Sequence, residues 1–189
     1  ERPLREDLVI GFRTGYLRLR EQETFRIVRA AQRRFRRHNA ARRWVEGEVW
    51  ASMAATWRDG EVTPAQVKEG IRHMPEVRQA LERMWPVLTP ADLLHDLFGS
   101  KALLKLAATG QLNEDEYLSL YRPRADDIST VRWSDNDIAL LDEARNYLGQ
   151  RPVKAGGPEE TDEIRTYGHI VIDEVQDLTP MQLRMASRR

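Results

Sequence analysis

The sequence predicts a mainly α-helical chain with a short β-hairpin near its start and a strand followed by a helix, of α/β type, at its end. Three observations carry this reading. Apolar residues recur at helical spacing over much of the first 150 residues. Four pairs, Thr63-Pro64, Met74-Pro75, Thr89-Pro90 and Thr179-Pro180, each put Pro where the first N–H of a helix would have no partner. Near the carboxyl end the pattern changes to an apolar, largely β-branched run, Tyr167 to Ile172, that stops at Asp173-Glu174.

Taken in order, residues 7–20, DLVIGFRTGYLRLR, cluster apolar residues on both sides of Arg13-Thr14-Gly15, which predicts a hairpin whose turn draws its positive φ from Gly15. From Glu23 to Trp57 the spacing is helical. Phe25, Val28 and Ala31 share one stripe, followed by Phe35 and later by Val49, Trp50, Met53 and Trp57, and either Gly47 or the His38-Asn39 pair divides the stretch into two helices. In three of the four Pro pairs the preceding Thr can cap. Gly99 and Gly110 read as helix stops, Asn113 with Glu116 as a capping box, and Ser134 or Asp135 as the start of a helix that Gly149 ends. Residues 151–166 concentrate Gly, Pro and charge without periodicity and read as an exposed connection.

Composition narrows the function classes. With 189 residues, 41% of them hydrophobic, the chain can bury an ordinary core. It contains no cysteine, which excludes disulfides and thiolate metal sites. No apolar run approaches the roughly 18 residues of a membrane span, and no charged-then-apolar start resembles a signal peptide, so a cytoplasmic location is expected. Five Trp are expected to be mostly core, and His38, His73, His95 and His169 lack the spacing of a metal site.

The formal charge is zero but unevenly spread: the first 60 residues carry an excess of Arg and the remainder an excess of acids. Residues 26–43 hold Arg26, Arg29, Arg33, Arg34, Arg36, Arg37, Arg42 and Arg43 and no acid. On helices these surround much of the circumference, which suits contact with phosphates or with an acidic protein surface. The plainer reading is a solvated helix whose arginines pair with acids elsewhere in the chain.

The acids at the end of the apolar run suggest chemistry. Open α/β sheets hold their ligands outside the carboxyl ends of strands. There, in nucleotide hydrolases, one carboxylate holds Mg²⁺ and its neighbour orients the attacking water. Asp173 and Glu174 follow the apolar run in that order, the Walker B pattern. A strand that merely ends in acids at a surface turn is the alternative.

Beyond the pair itself, VIDEVQDLTPMQLRM (171–185) resembles motif II of superfamily 1 helicases of the UvrD and Rep type. The resemblance implies that Asp173 binds the magnesium, that Glu174 is the catalytic acid serving the water, and that Gln176 and Asp177 are the signature positions behind them. A wider resemblance is carried by the hairpin, by RRFRRHNAARRWV (33–45), by the run of short helices and by RWSDNDIALLDEARNYLG (132–149). Together these look like the HelD family, UvrD-like motors that bind RNA polymerase.

That likeness implies a helical insertion over 1–150, a linker over 151–166, and the Walker B strand and next helix of a RecA-like 1A domain over 167–189. It further implies ATP and Mg²⁺ as cofactors of a longer parent protein and RNA polymerase as its partner, with the parent opening the clamp and releasing nucleic acid. No G-x-x-x-x-G-K-[ST] phosphate loop occurs in this sequence, so no ATP hydrolysis is expected from it alone. Two other readings stand beside this one: a piece of a UvrD-type DNA repair helicase, and a non-catalytic helical adaptor.

Overall fold

The computed structural model describes residues 1–152 and 165–189, so most of the expected connection at 151–166, with Gly156-Gly157, lies outside the described residues. The chain divides into two compact units. One comprises Glu1–Val87 with Gly149–Pro152, and the other comprises Leu88–Leu148 with the described residues 165–189. These are units of packing. The limits expected from sequence, at 150 and 167, concern membership of a larger fold, a different property from packing within this chain.

The first unit begins with the hairpin. Strand β1 (Leu8–Phe12) pairs antiparallel with β2 (Gly15–Leu19), Leu8 opposite Leu19 and Phe12 opposite Gly15. Alternate residues point to opposite faces of a strand. Accordingly Ile10, Phe12, Leu17 and Leu19 are buried while Val9 and Tyr16 are exposed. The positive φ of the turn belongs to Arg13, at 51°, and not to Gly15. Gly15 serves another purpose: a Cβ there would sit 3.2 Å from the Trp57 ring, so its bareness admits the indole.

Under the hairpin lie α1 (Glu21–Arg34), α2 (Arg42–Ala54), α3 (Pro64–Ile71) and α4 (Pro75–Met84). Leu17, Ile27, Val45, Met53, Ile71 and Met84 are fully buried at the centre. α1 buries Thr24, Ile27, Val28 and Ala31. Phe25, expected on the inward stripe, is 51% exposed, because it stands about 100° round the helix from Thr24. The division between α1 and α2 falls at His38-Asn39; Gly47 lies inside α2.

His38 holds this break in shape. Its ring stacks on Trp85 with 5.0 Å between centroids, and its carbonyl accepts the Trp85 indole N–H at 2.8 Å. The ring nitrogens face the Glu1 carboxylate and the Pro86 carbonyl, each at 2.6 Å. The contact with His38 holds the Glu1 carboxyl below its ordinary pKa. Of the five Trp, Trp50 and Trp85 are buried, and Trp44 and Trp57 pack partly covered against the same core.

The second unit contains α5 (Pro90–Phe98), α6 (Lys101–Ala108), α7 (Glu114–Ser119), α8 (Asp135–Leu148) and α9 (Pro180–Ala186). Its smaller core joins Leu94, Phe98, Leu104, Ala108, Tyr117 and Ala144, with Trp133 partly buried against it. Arg122 ties the loop after α7 to the start of α8. Its guanidinium makes a forked pair of bonds to Asp137, at 2.9 and 2.7 Å, and lies over the Phe98 ring.

All four Pro pairs start helices, and Thr63, Thr89 and Thr179 each form a complete capping box. Asn113 and Glu116 form a fourth. Ser134 precedes α8, and Gly149, at φ 71°, follows its last residue. A Cβ at Gly149 would also meet Arg37, within 3.0 Å. Among the described residues no helix is long and apolar enough to cross a membrane.

One expected element is absent. Tyr167–Ile172 forms no strand: the described sheet consists of β1 and β2 alone, and this run lies outside any helix or strand and is mostly exposed, with Val171 81% exposed and Tyr167 60%. The physical reason is that a strand exists through its neighbours. Without a second strand the backbone N–H and C=O groups of residues 168–172 are left to water, and the side chains have no layer to cover them. The helix expected after the acids does form, as α9. It is pinned to α8 by ion pairs from Arg184 to Glu143 at 3.1 Å and from Arg188 to Asp142 at 2.8 Å.

Candidate functional site

Asp173, Glu174, Gln176 and Asp177 fall together in one turn between the apolar run and α9. Glu174 adopts the left-handed conformation, φ 50° and ψ 43°, which costs a non-glycine residue about 1 kcal/mol. It is held there locally: the Glu174 N–H donates to Asp173 Oδ1 at 2.9 Å, and the Gln176 side-chain amide donates to the Glu174 carboxylate. Val175–Asp177 then form a single 3₁₀ turn, closed by the Asp177 N–H donating to the Glu174 carbonyl at 2.9 Å. Leu178 returns the chain to an extended conformation, and Thr179 with Gln182 caps α9.

Both carboxylates are exposed, and Asp173 Oδ2 accepts no bond from the described residues. Mg²⁺ sites use one or two carboxylates together with waters and substrate phosphates. The oxygen donors of Asp173 and Glu174 fit that requirement in kind. They cannot complete a shell alone: among the described residues no three His, Cys, Asp or Glu side chains gather as metal ligands. Phosphate oxygens would have to supply the remainder, and this sequence contains no loop to cradle them.

The eight arginines separate into different roles. Arg42 is structural and not available to a partner. It is 8% exposed and donates to the carbonyls of Leu81, at 3.2 Å, and Trp85, while pairing with Glu46 at 2.7 Å and Glu82 at 2.9 Å. Arg26 pairs with Glu23 at 2.9 Å and approaches Glu48 at 3.8 Å. Arg29 lies over the Phe25 ring, and Arg34 over both Phe35 and Trp44. Arg33, Arg36, Arg37 and Arg43 are exposed.

Two further features had no signal in the sequence. A shallow surface hollow of about 450 Å³ is lined by Phe12, Arg13, Gln66, Glu69, Gly70 and Met74. Its polar groups are already engaged, Gln66 in the cap of α3 and Glu69 with Arg72 at 2.8 Å. The Arg122–Asp137 pair spans the loop before α8, and only its Ser134–Asp137 part follows a local pattern. Asp137 is held down to about 2 from its ordinary 3.8, first by the hydrogen bonds from Arg122 and then by those from Ser134, against the opposing effect of burial. No protein-family model matches the chain, and no curated protein matches it.

Proposed function

We propose that this chain is part of a HelD-like, superfamily 1 helicase-related ATPase. In the longer protein, Asp173 would hold Mg²⁺ and Glu174 would orient the water that attacks the γ-phosphate of ATP. The observation that carries the reading is the unbroken order in 170–182: an apolar run, Asp173-Glu174, Gln176-Asp177, and a helix capped by Thr179 and Gln182. Bound magnesium supplies charge that offsets the negative phosphates and fixes their geometry. This chain contributes the paired acids, the local hydrogen bonds that orient Glu174, and the start of α9.

The open state of Tyr167–Ile172 is compatible with this role. Ile170, Val171 and Ile172 put apolar side chains on both faces at the end of the run, the composition of a strand covered on two sides within a parallel sheet. The phosphate loop and the rest of such a sheet would come from other parts of the parent. Resemblance to HelD supports RNA polymerase as the partner, a bacterial cytoplasmic setting, and clamp opening with release of nucleic acid as the outcome. The exposed turn at 173–177 equally suits a second reading, a helical adaptor whose acids only decorate a surface.

One experiment separates these readings. The chain is joined to its parent's upstream and downstream sequence and ATP turnover is measured with Asp173→Asn and with Glu174→Gln. Loss of turnover by about 100-fold or more in each is expected. Unchanged turnover in both removes the assigned roles and leaves the adaptor. Recovery of RNA polymerase with the parent after nuclease treatment distinguishes HelD-like action from DNA repair, where nuclease would abolish the association.

A further inference from the structure

We infer that the outward face of α1, with the break that follows it, is a binding surface for single-stranded nucleic acid, independently of the nucleotide chemistry proposed above. Phe25, Arg29 and Arg33 follow one another at four-residue intervals and fall within about 80° of the helix circumference. That arc is opposite the buried face formed by Thr24, Ile27, Val28 and Ala31. Arg36 and Arg37, both exposed, follow in sequence just past the end of the helix, after the extended Phe35.

Three observations identify the occupant. First, Arg29, Arg33, Arg36 and Arg37 have no carboxylate partner among the described residues, although the chain as a whole has as many acids as bases. The acids that do reach this region pair with Arg26 and Arg42, on either side of the free stripe. Second, Arg29 rests over the Phe25 ring at 5.3 Å. Stacking restrains a guanidinium by its flat face and leaves its N–H edge outward, the arrangement that suits a phosphate oxygen.

Third, Phe25 is 51% exposed at the amino-terminal end of this stripe, one turn before Arg29. An acidic protein surface would use the arginines and has no particular need of the ring. A nucleic acid strand uses both, phosphates on the guanidiniums and a base stacked on the aromatic. Successive arginines four positions apart advance about 6 Å along the helix, comparable with the separation of neighbouring phosphates in a strand.

The test uses the full 189-residue chain and a fluorescein-labelled oligothymidylate of about 15 nucleotides, with binding followed by anisotropy over a range of salt. Four phosphate contacts give a slope of log K against log salt near about −3, and Arg29→Ala with Arg33→Ala reduces its magnitude by about 1.4. Phe25→Ala weakens binding about tenfold and leaves the slope unchanged. Circular dichroism of each variant should match the parent chain, since all three positions are exposed. A slope indifferent to the double substitution, or affinity indifferent to Phe25→Ala, overturns the inference. So does polyglutamate competing as well as the oligonucleotide, an outcome that would assign the face to an acidic protein.

Discussion

Replacing Asp137 by Asn should loosen the second unit, and the structure sets the size of the effect. The Asp137 side chain is 2% exposed and accepts four bonds: two from Arg122, at 2.9 and 2.7 Å, and two from Ser134, through its N–H and its hydroxyl, both at 2.8 Å. These hold its pKa at about 2 against an ordinary 3.8. The difference corresponds to about 2 kcal/mol of stability. The isosteric Asn keeps the volume but loses the charge, and sets an amide N–H₂ against groups that are themselves donors, so the loss should be about 2 to 3 kcal/mol.

Because the chain has two units, a single melting midpoint would mix their responses. Hydrogen exchange resolved to α5 and α8 reads the affected unit directly, and about 2 kcal/mol accelerates exchange through local opening about thirtyfold. The pH dependence has a definite sign. A carboxyl with a lowered folded-state pKa contributes fully above its unfolded value, so protection in the parent chain should fall as pH drops from about 3.8 towards about 2. The Asn variant lacks that component. Exchange in α8 unchanged by the substitution, or an identical acid response in both proteins, would show that the Arg122–Asp137 pair does not hold this unit together.

In the first unit, Gly70→Ala sets a Cβ 2.5 Å from the Phe12 ring, which is already fixed edge-on to Trp57 at 5.4 Å. Urea unfolding followed by Trp fluorescence should show a loss of about 1 to 3 kcal/mol. Arg42→Met leaves the buried Trp85 carbonyl without its donor and removes one of the two donors to the Leu81 carbonyl, and should cost about 2 to 4 kcal/mol in the same assay, whereas Arg33→Ala should stay within about 0.5 kcal/mol.

Helix starts were legible because their cause is local. Thr63, Thr89, Asn113 and Thr179 each find their capping partner three residues on, and Pro at the first helical position fits wherever the chain lies. Features set by distant contacts were not legible. Phe25 looks like a core residue by its type, yet the packed arc of α1 is chosen by the hairpin and α2. Arg42 and Arg33 look alike in sequence, but only Arg42 meets the end of α4, where the Leu81 and Trp85 carbonyls and Glu82 accept its bonds. The positive φ in the hairpin passed to Arg13 because Gly15 is the first paired residue of β2, opposite Phe12. The reading of the acid pair rests on a pattern of residues alone, and on that proposal its working geometry would depend on a sheet.

That dependence explains why the apolar run forms no strand. Ile170, Val171 and Ile172 have the composition of a buried strand, but composition supplies only the apolar surface and not the hydrogen-bonding neighbours. Covering a side chain as open as Val171 is worth about 1.5 kcal/mol or more. Docking of several such residues into a sheet therefore favours a reset of the turn, and the strain of about 1 kcal/mol at Glu174 is released with it. The bonds that would have to break are few: the Tyr167 N–H to the Arg189 carbonyl, the Glu174 N–H to Asp173, and the Gln176 amide to Glu174. The helix beyond need not move, since its cap is internal to Thr179–Gln182 and its ion pairs to α8 lie at Arg184 and Arg188. On the proposed reading, then, α9 is already in its final form, and forming the strand is the step that would turn two solvated acids into half of a nucleotide site.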